Sequence, residues 1–420
     1  MIRSFAPRHS VLMSRALLVG ALLSCSAFAR AADDTLVLRG ATVYVDPTTA
    51  PLRDADVVIH DGAIAAVGAN AAPVDAKVLD CHGLVVVAGL HNSHVHFLGP
   101  EWDGAAKRPA DALTASLRDM LTRYGFTTVF DIGSRLDDTL AVRFRIEMQE
   151  LPGPRILTAG EPLFPPDGIP IYVRDQPPEL LKLMKEPTTT NEAVAAVTEN
   201  VSRGADAVKL FTGSIQGGGV VKPMPVEIAR AAVAQAHKLG VQVFAHPSNA
   251  DGATIAVDAG VDVLAHTNSE GWTPALVASM LAHHTALVPT LKLWPYEAAK
   301  EHSSAAATAQ FLGDASAELT AFVRGGGEVL FGTDVGYMRD FDPSDEYAYM
   351  ARAGMTPMQI LAALTTAPAA RFQPKLKLGR VAVGYLADLT VLDGDPSQDI
   401  RAFARVRYTL RDGKPIYAAH

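Results

Sequence analysis

The chain has 420 residues, 49% hydrophobic and 20% charged, a balance that excludes a disordered protein. Its formal net charge of −8 argues against a nucleic-acid partner, which would favour a basic stripe. The length suits one large barrel domain and a smaller one.

The first 31 residues read as a signal peptide. Arg3, Arg8 and Arg15 form a basic region, 16–23 is an apolar run, and Ala27-Phe28-Ala29 and Ala29-Arg30-Ala31 are small-x-small cleavage sites. The apolar run is too short for a transmembrane anchor. Export to the periplasm or the medium is expected. A minor alternative is lipidation of Cys25, because Leu22-Leu23-Ser24-Cys25 loosely resembles a lipoprotein box. After cleavage at the later sites Cys81 stands alone, so no internal disulfide is expected and Cys81 reads as a buried small hydrophobe.

Residues 32–87 read as short strands with turns, including an Asp61-Gly62 hairpin. From residue 84 the pattern becomes strand, helix, strand, helix. The strands are expected at 84–90, 127–132, 155–159, 205–211, 241–245, 261–265, 286–290 and 329–332. Helices are expected at 109–124, 190–203, 225–239, 304–324, 343–353 and 357–365. Eight such units are the arithmetic of a (β/α)8 TIM barrel over residues 88–372. The segment 160–187 is a long proline-rich connection, which points to a functional loop. Gly217-Gly218-Gly219 fits neither a dinucleotide nor a phosphate loop and reads as a substrate loop or lid. Residues 373–420 return to strands, with an Asp412-Gly413 turn. With the N-terminal segment they are expected to form one small β-sandwich domain, giving an α/β fold overall.

Active sites of such barrels lie at the C-terminal strand ends. His94 and His96 follow the first strand, and period-two alternation aims both to one side. Lys209 sits in the fourth strand, His246 ends the fifth, His266 ends the sixth, and Asp334 follows the eighth. Each alone has a bland reading. A histidine after a strand is more often a hydrogen-bonded core residue than a ligand. Asp334 could cap the next segment, and Lys209 could snorkel outward. Equivalent positions on five strands make coincidence a poor account. His91 reads as a supporting residue. His60, His82 and His302 read as surface residues, His237, His283 and His284 as favouring helix ends, and His9 and His420 as terminal. A neutral lysine adds CO2 to give a carbamate whose two oxygens can bridge two ions. Four histidines, a carbamate on Lys209 and Asp334 would hold two divalent metal ions, Zn2+ first, with Co2+ or Mn2+ admitted.

The pieces Gly89-Leu90-His91-Asn92-Ser93-His94-Val95-His96, Asp206-Ala207-Val208-Lys209, His246, His266, Phe331-Gly332-Thr333-Asp334 and Gly384-Tyr385-Leu386-Ala387-Asp388-Leu389 come in that order. Together they resemble the amidohydrolase superfamily. The nearest branch looks like the imidazolonepropionase-like and Xaa-Pro dipeptidase-like group, to which Ala367-Pro368-Ala369-Ala370-Arg371 and Val288-Pro289-Thr290-Leu291 are also similar. The resemblance implies that His94, His96 and Asp334 hold the more buried ion and that His246 and His266 hold the other, with Lys209 bridging. Pro247 after His246 departs from the pattern. The implied activity is hydrolysis of an amide or peptide-like C–N bond of a small molecule or short peptide, of dipeptide or N-acyl amino acid type, with Asp334 catalytic. Two rivals stand beside it. One is a mononuclear deaminase or cyclic-amide hydrolase. The other is a non-catalytic binding protein on the same barrel. Phe164 and Tyr172 are expected as apolar walls for substrate, and Arg174 or Lys182 as carboxylate partners, with Arg339 and Lys222 of equal standing. A homo-oligomer is left open.

Overall fold

The computed structural model describes residues 35–69, 71, 76–174, 181–268 and 270–419. The expected signal peptide, Cys25, His9 and His420 lie outside these residues.

The terminal segments join in one eight-stranded mixed sheet. Its strands are β1 (Thr35–Val43), β2 (Leu52–His60), β3 (Ala63–Gly68), β4 (Lys77–Asp80) and β5 (Val85–Ala88). The C-terminal part adds β15 (Leu389–Leu392), β16 (Val406–Arg411) and β17 (Lys414–Ala418). The order is β17-β16-β15-β5-β1-β2-β3, and β4 lies parallel to β1 over Leu36–Arg39. β15 runs antiparallel to β5, from Leu389 opposite Ala88 to Leu392 opposite Val85. Both Asp-Gly turns form as predicted. Asp61 and Gly62 take φ of 48° and 76°, and Asp412 and Gly413 take 48° and 74°. Such paired left-handed turns match the twist of the strands they join.

The run expected as one strand over 84–90 is two. Val85–Ala88 belongs to the terminal sheet, and β6 (Leu90–Val95) begins the parallel system. The break falls at Gly89, where the backbone passes so close to Thr127 that an added Cβ would lie 2.2 Å from its Oγ1. The chain therefore changes sheets at Gly89, and His94 lies inside a strand rather than after one.

The further strands of the parallel part are β7 (Phe126–Asp131), β8 (Arg155–Thr158), β9 (Ala207–Phe211), β12 (Gln242–His246), β13 (Val263–Ala265) and β14 (Ala286–Val288). They form two sheets, β6-β7-β8 and β14-β13-β12-β9. Asp206 N–H donates to Thr158 O at 2.7 Å, between the two sheets. On the other side, Leu330 N–H donates to Leu287 O and Ser93 N–H to Phe331 O. Single bridges pair Val329 with Leu287 and Val335 with Val95. The expected eighth strand is thus a bridged segment rather than a regular strand. Helices alternate with the strands, and three of them, Leu136–Glu147, Leu293–Lys300 and Thr366–Phe372, have no counterpart in the sequence reading. The glycine run expected as a lid is the turn of a hairpin, β10 (Gly213–Gly217) with β11 (Val220–Pro223). Phe130, Phe244 and Phe372 pack their rings 4.8–5.6 Å apart beside the small side chains of Ala207, Ala265 and Ala286.

One buried acid makes this fold sensitive to pH. Glu318, on the helix Ala305–Arg324, accepts the Asn268 N–H at Oε2 (2.7 Å), while Oε1 has no partner among the described residues. Burial pushes its carboxyl up to about 8, against the opposing pull of its backbone donors. An unfolded glutamate titrates near 4.3. Below that pH both states hold the proton and no penalty exists. As pH rises from about 4.3 to about 8, the unfolded chain releases the proton and the folded chain keeps it, so stability falls; above about 8 the loss levels off. Glu318→Gln removes this titration. Urea unfolding at pH 5 and pH 8.5 should show the variant losing less stability than the wild type, by about 1–3 kcal/mol.

Candidate metal centre

Strand alternation brings the first two candidate ligands together. His94 and His96 stand on one side of β6 and its extension, with ring centroids 5.2 Å apart. Asp334 reaches them from the last bridged segment. Its Oδ1 lies 2.9 Å from His96 Nε2 and 3.2 Å from His94 Nε2. Asp334 takes a left-handed backbone, φ 58°, and its N–H donates to His94 O at 2.9 Å. It caps no helix. Asn92 ties the two pieces. It donates from Nδ2 to Thr333 Oγ1 at 2.7 Å and accepts the backbone N–H groups of His94 and Thr333 at 3.2 Å.

The other two histidines stand opposite. His266 lies 4.6 Å from His94 and 4.6 Å from His246, ring to ring. His246 stacks on Phe211 at 4.5 Å. One donor atom each from His94, His266 and Asp334 lie within 4.8 Å of one another. Lys209 is 2% exposed, so it does not snorkel. Among the described residues no carboxylate lies within ion-pair reach of it, and its Nζ sits 5.8 Å from the Phe211 ring. Burial pulls the ammonium down to about 7, and the Asp334 charge opposes this. A substantial neutral fraction near pH 7 is what carbamate formation requires. All six residues line one cavity of about 1080 Å³.

Electrostatics prepares these groups as ligands. Burial lowers His94 to about 3, against the pull of Asp334, and lowers His246 and His266 well below the usual imidazole range. They are neutral, with a lone pair to offer. Burial alone would raise the Asp334 carboxyl, but His94 and His96 outweigh it and hold it well below the usual range. It is ionised.

The orientation of two rings is fixed from behind. His96 donates from Nδ1 to Gly133 O at 2.8 Å. His266 donates from Nδ1 to Thr290 Oγ1 at 2.6 Å, because Thr290 spends its own hydroxyl proton on Pro289 O at 2.8 Å. Each ring therefore turns Nε2 toward the cavity. Thr290 does this from φ 46°, a strained conformation for a β-branched residue. The Gly133 turn is held by Asp131, whose Oδ1 accepts from Gly133 N–H and Ser134 Oγ–H, and whose Oδ2 accepts the hydroxyls of Thr139 and Thr158. Both ring nitrogens of His94 are buried without a hydrogen-bond partner among the described residues. A buried imidazole without a hydrogen bond, beside an ionised carboxylate and the cavity-facing Nε2 atoms of His96 and His266, fits a divalent cation.

Sequence reading missed Asn92, Asp131 and Thr290. Each is a small polar residue at a strand end, a type also common in ordinary turns. His91 is buried but does not line the cavity. Phe164 and Tyr172 do line it, Phe164 with its ring 4.6 Å from Phe211. Arg174 does not; it donates to Ile169 O and to Gln216, pinning the loop to the hairpin. Lys182 and Lys222 stay outside, and Lys222 donates to Asp167 O. Arg339 lines the rim, paired with Glu101. Glu297, Lys300, Tyr337 and Trp294 also line the cavity and carried no signal in the sequence.

The profile of the amidohydrolase family matches residues 85–416. The chain is similar to a protein of Mycobacterium tuberculosis, 29% identical over 291 residues, covering 66% of this chain and 72% of that one. The crystal structure of a Xaa-Pro dipeptidase with bound methionine superimposes with a TM-score of 0.78 at 23% identity, covering 92% of this chain and 100% of that chain. A prolidase complexed with N-methylphosphonate-L-proline gives 0.77 at 25% identity, covering 92% and 100%.

If Thr290 orients His266, removing its hydroxyl should weaken metal binding. Thr290→Val is expected to lose about 10- to 100-fold in affinity for Zn2+, and Thr290→Ser to retain most of it. Competition with a chromophoric chelator measures both.

Proposed function

From the premise that the chain belongs to the amidohydrolase family, we propose that it is an exported hydrolase that cleaves the amide or peptide-like C–N bond of a small molecule or short peptide with two divalent ions. That it is a hydrolytic enzyme acting on C–N bonds follows from the family and its hydrolase neighbours. The observation that carries the binuclear reading is Lys209, a lysine with no ion-pair partner among the described residues, buried in the same cavity as His94, His96, His246, His266 and Asp334. A carbamate on Lys209 would bridge the two ions. His94, His96 and Asp334 would hold the inner one, and His246 and His266 the outer one. Zn2+ suits this nitrogen and oxygen donor set, which also admits Co2+ or Mn2+. The bridged segment around Leu330 supports closure of the parallel strands into a (β/α)8 barrel, with residues 32–87 and 373–420 as a β-sandwich beside it.

Divalent ions bound there would lower the pKa of a coordinated water and polarise the scissile carbonyl. The side chains supply the rest. Asp334, ionised and anchored through its own backbone to His94, is placed to take a proton from the attacking water on a carboxylate oxygen. It then returns that proton to the departing amine nitrogen, so that amide and water become acid and amine. His94 and His96 hold the carboxylate in one orientation. Phe164 and Phe211 form an apolar wall beside His246 that excludes bulk water.

A second reading, a mononuclear deaminase or cyclic-amide hydrolase, is favoured by the tight three-donor cluster of His94, His266 and Asp334. Export rests on the N-terminal sequence, with lipidation at Cys25 as a minor variant. No helix among the described residues is long and apolar enough to cross a membrane.

Lys209→Ala separates the two readings. Elemental analysis after Zn2+ loading should give two ions per wild-type chain and at most one per variant chain. Two ions retained by the variant would contradict the carbamate bridge, and one ion in both proteins would favour the mononuclear reading.

A further inference from the structure

The cavity lining combines exposed apolar residues with cations that are already paired. Around the mouth stand Leu98, Ile171, Ile215 and Val220, all large hydrophobics left exposed. Single exposed apolar residues need no explanation, but four ringing one deep cavity mark a surface for an apolar group. Deeper in, Phe164 and Phe211 continue that surface to His246.

The helix Leu293–Lys300 adds Glu297 and Lys300 to the same lining. Lys300 Nζ lies 3.0 Å from Glu297 Oε1 and donates to Tyr337 Oη at 3.0 Å. The ammonium also faces the Tyr337 ring at 4.8 Å and the Tyr296 ring at 5.6 Å. Tyr337 packs on Tyr172 at 5.6 Å, and burial raises both phenols, so both stay neutral.

The other cations lining the cavity are engaged in the same way. Arg135 lies 3.5 Å from Asp103 and 3.3 Å from Asp138, and Arg339 lies 2.7 Å from Glu101. Lys209 belongs to the ligand set. Glu270 and Glu301 add acidic groups to the lining. A substrate carboxylate would have to displace a protein carboxylate from its cation, beside further negative charge. Like-charge contacts of this kind are how sites reject wrong ligands.

We infer that the cavity takes neutral or cationic amides bearing a bulky apolar or aromatic group, and that Glu297 sets this preference by neutralising Lys300. The inference rests on the amide-hydrolase reading above and narrows its substrate class: peptides and N-acyl amino acids whose free carboxylate lies next to the scissile bond are disfavoured.

Matched ligands test it. N-benzoylglycine and N-benzoylglycinamide differ only in a carboxylate replaced by an amide. Each is titrated calorimetrically into the zinc-loaded full chain, as wild type, Glu297→Gln and Lys300→Gln, with thermal melts to verify folding. The wild type should bind the amide at least about tenfold tighter. Glu297→Gln frees Lys300 and should shrink or reverse that ratio, while Lys300→Gln frees Glu297 and should widen it. A change common to both variants would be structural, but opposite changes would not. A wild type that binds the carboxylate as well or better, or a ratio unmoved in both variants, overturns the inference. Benzoate release is followed separately by chromatography. A preserved preference without hydrolysis of either compound contradicts the amide-hydrolase reading and leaves the charge rule standing. Hydrolysis with preference for the carboxylate does the reverse.

Discussion

One buried carboxylate joins the two ends of the parallel strand system. Asp334 comes from the last bridged segment, takes a left-handed backbone, and meets both histidines of the first strand with a single oxygen, at 2.9 and 3.2 Å. A buried carboxylate without partners costs several kcal/mol. One partner, His94, is an imidazole that burial keeps neutral, so its attraction for the carboxylate is incomplete until a cation arrives. The same burial lowers Lys209 toward neutrality. The structure thus places one ionised acid beside the neutral imidazoles of His94, His246 and His266, an arrangement that a divalent ion completes.

Rigid supports surround this set. Asn92 fastens the Asp334 loop to β6, Asp131 braces the turn behind His96, and Thr290 holds His266. Two of these residues, Thr290 and Asp334, and His266 with them, sit at positive φ. Strain of this kind persists only where the surroundings over-determine it. Here the surroundings are the strand ends themselves, which is why ligands drawn from strands far apart in sequence can meet within a few ångströms. The substrate side is built differently. Its cations are paired, Lys300 with Glu297, Arg339 with Glu101 and Arg135 with Asp103 and Asp138, leaving apolar surface as the main feature offered to a ligand.

Much of this was legible in the sequence. Apolar runs ending in His94, His246 and His266 gave strands and inward-facing ligands, and Asp-Gly pairs gave both hairpins. The alternation read from residue 84 onward gave the α/β class. Other features were hidden for physical reasons. The run over residues 84–90 shows no change of periodicity at Gly89, because the switch between sheets is dictated by the nearness of Thr127, a long-range contact. The helix Leu136–Glu147 has little amphipathic pattern and includes Asp138 and Arg145 among its buried residues, so apolar spacing could not reveal it. Arg174 looked free to meet a substrate, yet it is occupied by Gln216, a partner 42 residues away. Glu297 and Lys300 read as an ordinary surface pair on a helix, and only the fold turns them toward Tyr337 and the cavity.

The account stands or falls on whether two ions share this cavity through Lys209. Anomalous diffraction from crystals of the zinc-loaded protein, collected on both sides of the zinc edge, addresses that directly. Two peaks about 3.5–4 Å apart, one against His94, His96 and Asp334 and the other against His246 and His266, with extra density on Lys209 Nζ between them, is the predicted result. A single peak with an unmodified lysine would contradict it.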